Sequence, residues 1–211
     1  MIAFSQVCTT SSNNGSNTTH SYTANGLASV TAVTKGIAFV LFDSTSINTD
    51  PTSVTWGGVS MTKLGTINQT TRANTQSLWY VLNPASGAVT VVDNYAANNS
   101  PNMVWGIWSG VKQAAPEASN TGSTTVANNL TVSVTTLTSS AWVLSFFTND
   151  FGNGVAGTNT TSRLAGVTSI GDTNGAITTP SSQGQAWSLT SSTNWTGFSV
   201  SIASDRLSFK W

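Results

Sequence analysis

Charge is what this chain has least of. Seven residues are Lys or Arg, seven are Asp or Glu, and together they make up 7% of 211 residues, with a formal net charge of zero. Soluble domains normally carry about 25% charged residues. With no basic patch to neutralise phosphates, the chain is predicted not to bind nucleic acid. The longest apolar run, at 37–42, is strand-sized, so no membrane span is predicted either.

Cysteine is nearly absent as well. The single Cys8 rules out an intramolecular disulfide, and a lone cysteine is usually a small buried apolar residue. The segment Met1–Gln6 lacks the basic start and apolar core of a signal peptide. If this protein acts outside the cell, we therefore expect that it is released without a signal peptide, for example by lysis of the host, or that a leader has been removed.

Uncharged polar residues and β-formers take the place of charge. Thr, Ser and Asn supply 86 residues, with eight Trp and eight Phe. Short β-forming runs separated by Gly, Asn, Asp and Ser clusters predict a single all-β domain. The predicted strands lie near 2–9, 27–33, 36–43, 53–56, 59–65, 77–82, 88–94, 102–110, 130–136, 141–148, 163–169, 185–190, 197–203 and 206–210.

Alternation within these strands predicts which side chains face a core. Met103, Trp105 and Ile107 share one face of their strand. The same pattern occurs in two other strands, as Trp142, Leu144 and Phe146 and as Phe198, Val200 and Ile202, with Ser199 and Ser201 on the opposite, wet face. One wet face is typical of an antiparallel sandwich. The run 37–42 is apolar on both faces and is predicted to lie centrally.

Turn signals agree with this organisation. Gly57 and Gly58 between Trp56 and Val59 predict a two-residue hairpin. The run 83–87, Asn-Pro-Ala-Ser-Gly, predicts a tight loop. The polar stretch 9–19 and the Gly-rich stretch 149–154 are interpreted as loops.

The chain resembles a known family over roughly residues 36 to 203. The residues that carry the likeness are Val-Thr-Trp-Gly-Gly-Val-Ser-Met-Thr at 54–62, Leu-Trp-Tyr-Val-Leu-Asn-Pro at 78–84, Gly-Ala-Val-Thr-Val at 87–91, Trp-Ser-Gly-Val at 108–111 and Pro116. They are similar to a module that recurs in bacteriophage structural proteins and bacterial surface proteins. The resemblance implies a jelly-roll-like antiparallel β-sandwich on virion decorations, tail fibres or adhesins. It implies no catalytic residue.

We expect the sandwich to span 1–204, followed by a C-terminal extension at 205–211 that serves as a docking segment.

The acidic residues and the single histidine disfavour a catalytic role. Acid–base chemistry needs two carboxylates in different environments, and the seven acids lie mostly in loops or after strands, where Asp caps turns. His20 follows a polar loop without a Gly-x-Ser-x-Gly motif, so an exposed loop histidine is expected.

No cofactor is expected, but a calcium site is left open. Asn149, Asp150 and Asn153 place oxygens in a Gly-rich loop, and Asp43 and Asp50 bracket another polar loop. The spacing does not match an EF-hand, and turn formation explains the same residues.

Aromatic residues outside the inward pattern are the predicted contacts with a partner or ligand. Trp108 lies opposite Trp105 in strand phase, and Trp187 and Trp195 lie in polar surroundings. Phe209 and Trp211 lie in the extension. Exposed aromatics bury themselves against a neighbouring subunit or stack on sugar rings.

Together with this composition, the resemblance implies a non-enzymatic structural protein on a virus particle or outside the cell, of capsid-decoration or fibre type, that docks onto other virion proteins or copies of itself. The alternative is a carbohydrate-binding or adhesive surface module.

Overall fold

A computed structural model describes residues 1–7, 11–12, 16–23 and 26–205. It confirms an all-β, antiparallel architecture, with one short 3-10 helix at Leu27–Ser29 in that part of the chain. The strands are β1 Ala3–Val7, β2 Ser11–Ser12, β3 Asn17–Tyr22, β4 Ile37–Ser44, β5 Ser53–Trp56, β6 Val59–Ser60, β7 Thr62–Gln69, β8 Asn74–Leu82, β9 Val91–Asn99, β10 Asn102–Ser109, β11 Ala118–Thr135, β12 Trp142–Asn149, β13 Val155–Ala156, β14 Thr161–Leu164, β15 Thr168–Asp172 and β16 Ser182–Ile202.

A central sheet forms the middle layer. Its order is β1-β10-β4-β8-β7, with β2 also pairing with β10. All eight residues of β4 are buried, as the apolar run at 37–42 predicts. Successive side chains of a strand point to opposite faces. Burial of every residue therefore means that this sheet is covered on both sides.

A small sheet of order β3-β9-β5-β6 covers one face of the central sheet. Trp56 of β5 packs edge-on against Trp105 of β10, with ring centroids 5.4 Å apart. The predicted Trp56–Val59 hairpin is confirmed by their pairing. Gly57 and Gly58 have φ of 55° and 82°, as in the turn type that matches strand twist.

A long sheet of order β11-β16-β12-β15-β14, with β13 on β16, covers the other face. Phe39 of β4 contacts Phe146 of β12, with ring centroids 5.4 Å apart. The predicted inward triplets of β10, β12 and β16 are all buried in the two cores. The strands thus stack as in a β-sandwich, with three sheets in place of two.

β11 and β16 form a long ribbon that folds back over the long sheet. Their pairing shifts register between Thr124 and Asn129. Beyond that bend, Ser199 Oγ donates to the carbonyl of Val132 at 2.8 Å, and a methyl group added at Gly122 would lie 2.8 Å from Val132 Cγ2. The two halves of β11 therefore lie one above the other and enclose a third core, formed by Leu130, Val132, Phe147, Trp187 and Trp195.

The folded-back ribbon explains several wrong predictions. Ser199 and Ser201 are fully buried instead of wet, because the ribbon covers their face. The separate strands predicted at 185–190 and 197–203 are one strand of 21 residues. The strand predicted at 130–136 begins at Ala118, since polar Thr and Ser continue the pairing.

The chain near its start also departs from prediction. The strand predicted at 27–33 is replaced by the short 3-10 helix, and the loop predicted at 9–19 contains the start of β3.

Asp205, predicted to begin a C-terminal extension, is joined to the fold, because its amide donates to the carbonyl of Gly110 at 3.0 Å. Cys8, the strand predicted at 206–210, Phe209 and Trp211 lie outside the described residues.

Replacing Phe39 by Ala tests the double burial of the central sheet. Phe39 is fully buried among Phe146, Trp108 and Tyr80, so the cavity should lower the free energy of unfolding by about 3–5 kcal/mol. Urea unfolding followed by tryptophan fluorescence measures this. Phe151→Ala removes the same ring from a side chain that is 67% exposed, and its effect should stay within about 0.5 kcal/mol. Equal losses in the two variants would contradict the layer assignment.

Candidate functional site

All seven acidic side chains are engaged by contacts within the fold. Glu117 accepts hydrogen bonds from the amides of Leu137 and Thr138 and from Ser201 Oγ. Asp205 is paired with Lys35. The other pairs join Asp50 to Lys63, Asp43 and Asp150 to Arg72, Asp93 to His20, and Asp172 to Arg163. The acids therefore hold loops and sheets together.

Arg72 joins the central sheet to the long sheet. Its Nη2 lies 3.2 Å from Asp43 Oδ2 at the end of β4, and its Nε lies 2.5 Å from Asp150 Oδ1 just after β12. Burial raises the pKa of Asp43 above its ordinary value, although Arg72 and Asn74 act to lower it. Two acids considered for calcium thus meet at one guanidinium, while Asp50 pairs with Lys63.

Replacing Arg72 by Met should destabilise the protein by about 3 kcal/mol, because two poorly exposed carboxylates lose their cation. Their side chains are 7% and 16% exposed. Lys112→Met is the matched control, since it removes the same charge from an exposed position and should change stability by less than about 0.5 kcal/mol. Chemical denaturation at neutral pH compares the two. A negligible effect of Arg72→Met would show that the bridge does not hold the sheets.

His20 is buried inside the small sheet, contrary to the expectation of an exposed loop histidine. It is 1% exposed. Its Nδ1 lies 2.7 Å from Asp93 Oδ1, and its Nε2 lies 3.0 Å from the carbonyl of Asn99. Tyr22 Oη donates to Asp93 Oδ2 at 3.1 Å. Burial raises the pKa of Asp93, while the hydrogen bonds from His20 and Tyr22 act to lower it.

Two tyrosines next to this pair resist ionisation. Burial, with the nearby charge of Asp93, raises the pKa of Tyr22 far above its usual value, and burial does the same for Tyr95. A raised pKa means that the folded state keeps a proton that the unfolded state releases. The stability that this contributes is full below the unfolded tyrosine pKa of about 10 and falls as pH rises above it.

The double variant Tyr22→Phe with Tyr95→Phe should therefore lose less stability than the wild type between about pH 8 and about pH 11. The double variant starts from a lower stability at pH 8, because Asp93 loses a donor. Urea unfolding at both pH values gives the two differences. The same fall in both proteins would contradict the assignment of the alkaline sensitivity to these phenols.

Trp108 was predicted to be exposed, and that prediction is wrong. It is fully buried, because the face of β10 opposite Trp105 packs against the long sheet. Its Nε1 donates to Asp172 Oδ2 at 2.8 Å, and Arg163 bonds both oxygens of Asp172 at 2.9 Å. Arg163 also lies over the ring of Phe4, 4.6 Å from its centroid. Trp108 thus links the layers.

Trp187 and Trp195 are fully buried too, contrary to prediction. Trp187 Nε1 donates to Ser145 Oγ at 3.1 Å, and Trp195 Nε1 donates to the carbonyl of Ala127 at 3.1 Å. Polar residues close to them in sequence, such as Gln185 and Thr196, are buried as well, and the indoles fill the core under the folded-back ribbon. In the described ranges every Trp and Tyr is buried, so Trp108, Trp187 and Trp195 do not form a platform for sugar stacking.

The exposed aromatic that sequence reasoning missed is Phe151. It lies just after β12 and is 67% exposed, and Val126, Val155 and Val167 are exposed as well. Backbone hydrogen bonds from Asn149 to Val167 and from Gly154 to Gly166, and the pairing of Ala127 with Thr193, place these valines close to the same loop. The loop that carries Phe151 is held to β16, because the amide of Asp150 donates to Thr193 Oγ1 at 3.2 Å. An aromatic residue within the Gly-rich loop at 149–154 was the available signal. We name these four side chains the apolar end.

A long strand, β11, lies at the edge of the long sheet. β11 pairs with β16 on one side and forms the edge of the long sheet. Its 18 residues include no charged residue and no proline, and every residue in its first twelve positions is exposed or half-buried. An edge strand presents unpaired backbone N–H and C=O groups that can pair with another strand. In the sequence, the uncharged Thr- and Ser-rich run before residue 130 was the signal that could have revealed this strand.

A cleft of about 540 Å³ lies beside the chain start and is lined by Met1, Phe4, Thr34, Lys35 and Asp205, among others. Its two charged groups are already paired with each other. Over the described residues no group of three or more His, Cys, Asp or Glu side chains is placed to hold a metal ion. The same part of the chain contains no helix long and apolar enough to cross a membrane.

Comparisons with protein-family models, with curated proteins and with solved structures find no match to this chain. The resemblance to phage and bacterial surface modules, and the jelly-roll connections that it implies, therefore stay predictions.

Proposed function

We propose that this chain is a non-enzymatic structural protein on the surface of a virus particle, of capsid-decoration or fibre type. It acts by docking onto other proteins of the particle or onto copies of itself. The observation that carries the proposal is the uncharged β11 edge, 18 residues long.

Docking through such an edge needs no charge. Strand addition supplies main-chain hydrogen bonds for affinity, and side chains on alternate positions supply specificity. The exposed positions of β11 are mostly Thr, Ser and Asn, which add cross-strand hydrogen bonds. Contacts of this kind are nearly insensitive to salt, because salt screens charges and not backbone hydrogen bonds. The apolar end, centred on Phe151, adds an aromatic contact.

The acidic residues support a role without catalysis. A general acid–base pair must reach a reacting group with its proton free to move. Each carboxylate of this chain accepts hydrogen bonds or pairs with a cation inside the fold, as Asp172 does with Arg163 and Trp108. A hydroxyl-rich, neutral exterior suits the virion surface or the extracellular medium, where we place the protein.

Binding to particles tests the proposal. The purified chain is mixed with particles of the virus that encodes it, prepared without the chain, and sedimented at about 0.1 and about 1 M NaCl. The wild type should cosediment at both salt concentrations. Thr121→Lys with Ser123→Lys places two charges on the β11 edge and should weaken binding about tenfold or more, since charged side chains block edge pairing.

Ser46→Lys with Ser86→Lys is the matched control, because it adds the same charge at exposed loop positions and should bind like the wild type. Absence of wild-type binding, or equal binding by the edge variant and the wild type, would contradict the proposal. Binding that disappears at high salt would assign it to charge instead of the edge.

A further inference from the structure

We infer that the partner of the β11 edge is a second copy of this chain, with the two edges paired antiparallel across a two-fold axis. This inference rests on the proposed function, in which the edge is a docking surface, and it names what docks there.

The other described sheet edges are protected by charge, bulges or short length, whereas β11 is long, uncharged and free of bulges outside its bend. Natural proteins protect edges with short strands, charged residues, bulges or inward-pointing charges. β7 carries Lys63 beside a bulge, and β14 has four residues, including Arg163, and a bulge. β6 has two residues, β1 is short and bulged, and β3 is bulged and points His20 inward.

β11 has bulges too, but they lie only at its bend. On either side of the bend, 118–124 and 129–135 each pair with β16 in regular register. The two halves are stacked, and the Asn120 side chain joins them by donating to the carbonyl of Ser133 at 2.8 Å. Its Oδ1 accepts from the amide of Thr121 in its own half, so pairing with another strand would use the other backbone groups of the two halves. One docking event can therefore engage two regular strand edges, one above the other.

The occupant is chosen by charge and symmetry. Antiparallel pairing of identical strands across a two-fold axis places each residue i opposite a residue j, and j opposite i. Like charges directly opposite each other destabilise such pairs. The β11 edge has no charge to oppose itself, and the whole chain has a net charge of zero. A copy of the chain meets these conditions and is present wherever the edge is exposed.

Sedimentation equilibrium over about a hundredfold range of protein concentration tests the inference in solution. The wild type should follow a monomer–dimer equilibrium. Thr121→Lys with Ser123→Lys should raise the dimer dissociation constant about tenfold or more, while Ser46→Lys with Ser86→Lys should leave it unchanged. Circular dichroism and thermal unfolding of all three proteins establish that they are equally folded.

Cysteine crosslinking identifies the paired strand without adding charge. In a Cys8→Ser background, Ser119, Thr121 and Ser123 are replaced by Cys one at a time, because a residue close to the two-fold axis lies opposite its own copy. Cα separations of about 4.5–5.5 Å between paired residues permit a disulfide. At least one of these variants should form a crosslinked dimer under mild oxidation, and Ser46→Cys should not.

A wild type that stays monomeric at every concentration, or a dimer that the edge charges leave intact, would overturn the inference. These outcomes are separate from the particle test. Loss of particle binding by the edge variant of a monomeric protein would uphold the docking function and reject the second copy. An edge-paired dimer that does not bind particles would uphold the second copy and reject the virion role.

Discussion

The fold depends on a central sheet that is covered on both faces. In β4 every residue from Ile37 to Ser44 is buried, so a charge anywhere along the middle of this strand would lack water on either side. Burying an ion without a partner costs several kcal/mol. The cores above and below β4 are built from Trp, Phe, Val and Ile. The scarcity of charge is thus consistent with the layered architecture.

Two clusters of charged residues join the layers. Asp43, near the end of β4, pairs with Arg72, which also pairs with Asp150 just after β12 of the long sheet. A second connection lies at Asp172 of the long sheet, which accepts hydrogen bonds from Arg163 and from the Trp108 N–H of the central sheet. Hydroxyl groups satisfy other buried polar atoms, as Ser145 does for Trp187 and Ser199 does for the carbonyl of Val132. Neutral hydrogen bonds allow the folded-back ribbon to cover a polar face.

Sequence alternation predicted faces correctly and their surroundings only in part. It grouped Trp105 with Ile107 and placed the run 37–42 centrally, and both predictions are confirmed. It placed Trp108 on the face of its strand opposite Trp105, and Ser199 on the face opposite Phe198. It could not show that both of these faces are buried, because the strands that cover them are distant in sequence. The bend that joins two predicted strands into β16 depends on tertiary pairing with β11. Burial of Trp187 and Trp195 follows from that bend, so the sequence pattern alone could not predict it.

The scarcity of charge that suits the interior also has a consequence at the edge. In most sheets a lysine or proline keeps the outermost strand from pairing with other strands. β11 extends over 18 residues with neither, although Pro116 lies two residues before it begins. Its hydroxyl side chains keep it hydrated, but they do not repel another strand. A monomer with this edge open would be prone to uncontrolled edge association, whereas a symmetric pair closes the edge. The proposed symmetric pair is therefore consistent with the scarcity of charge along this edge.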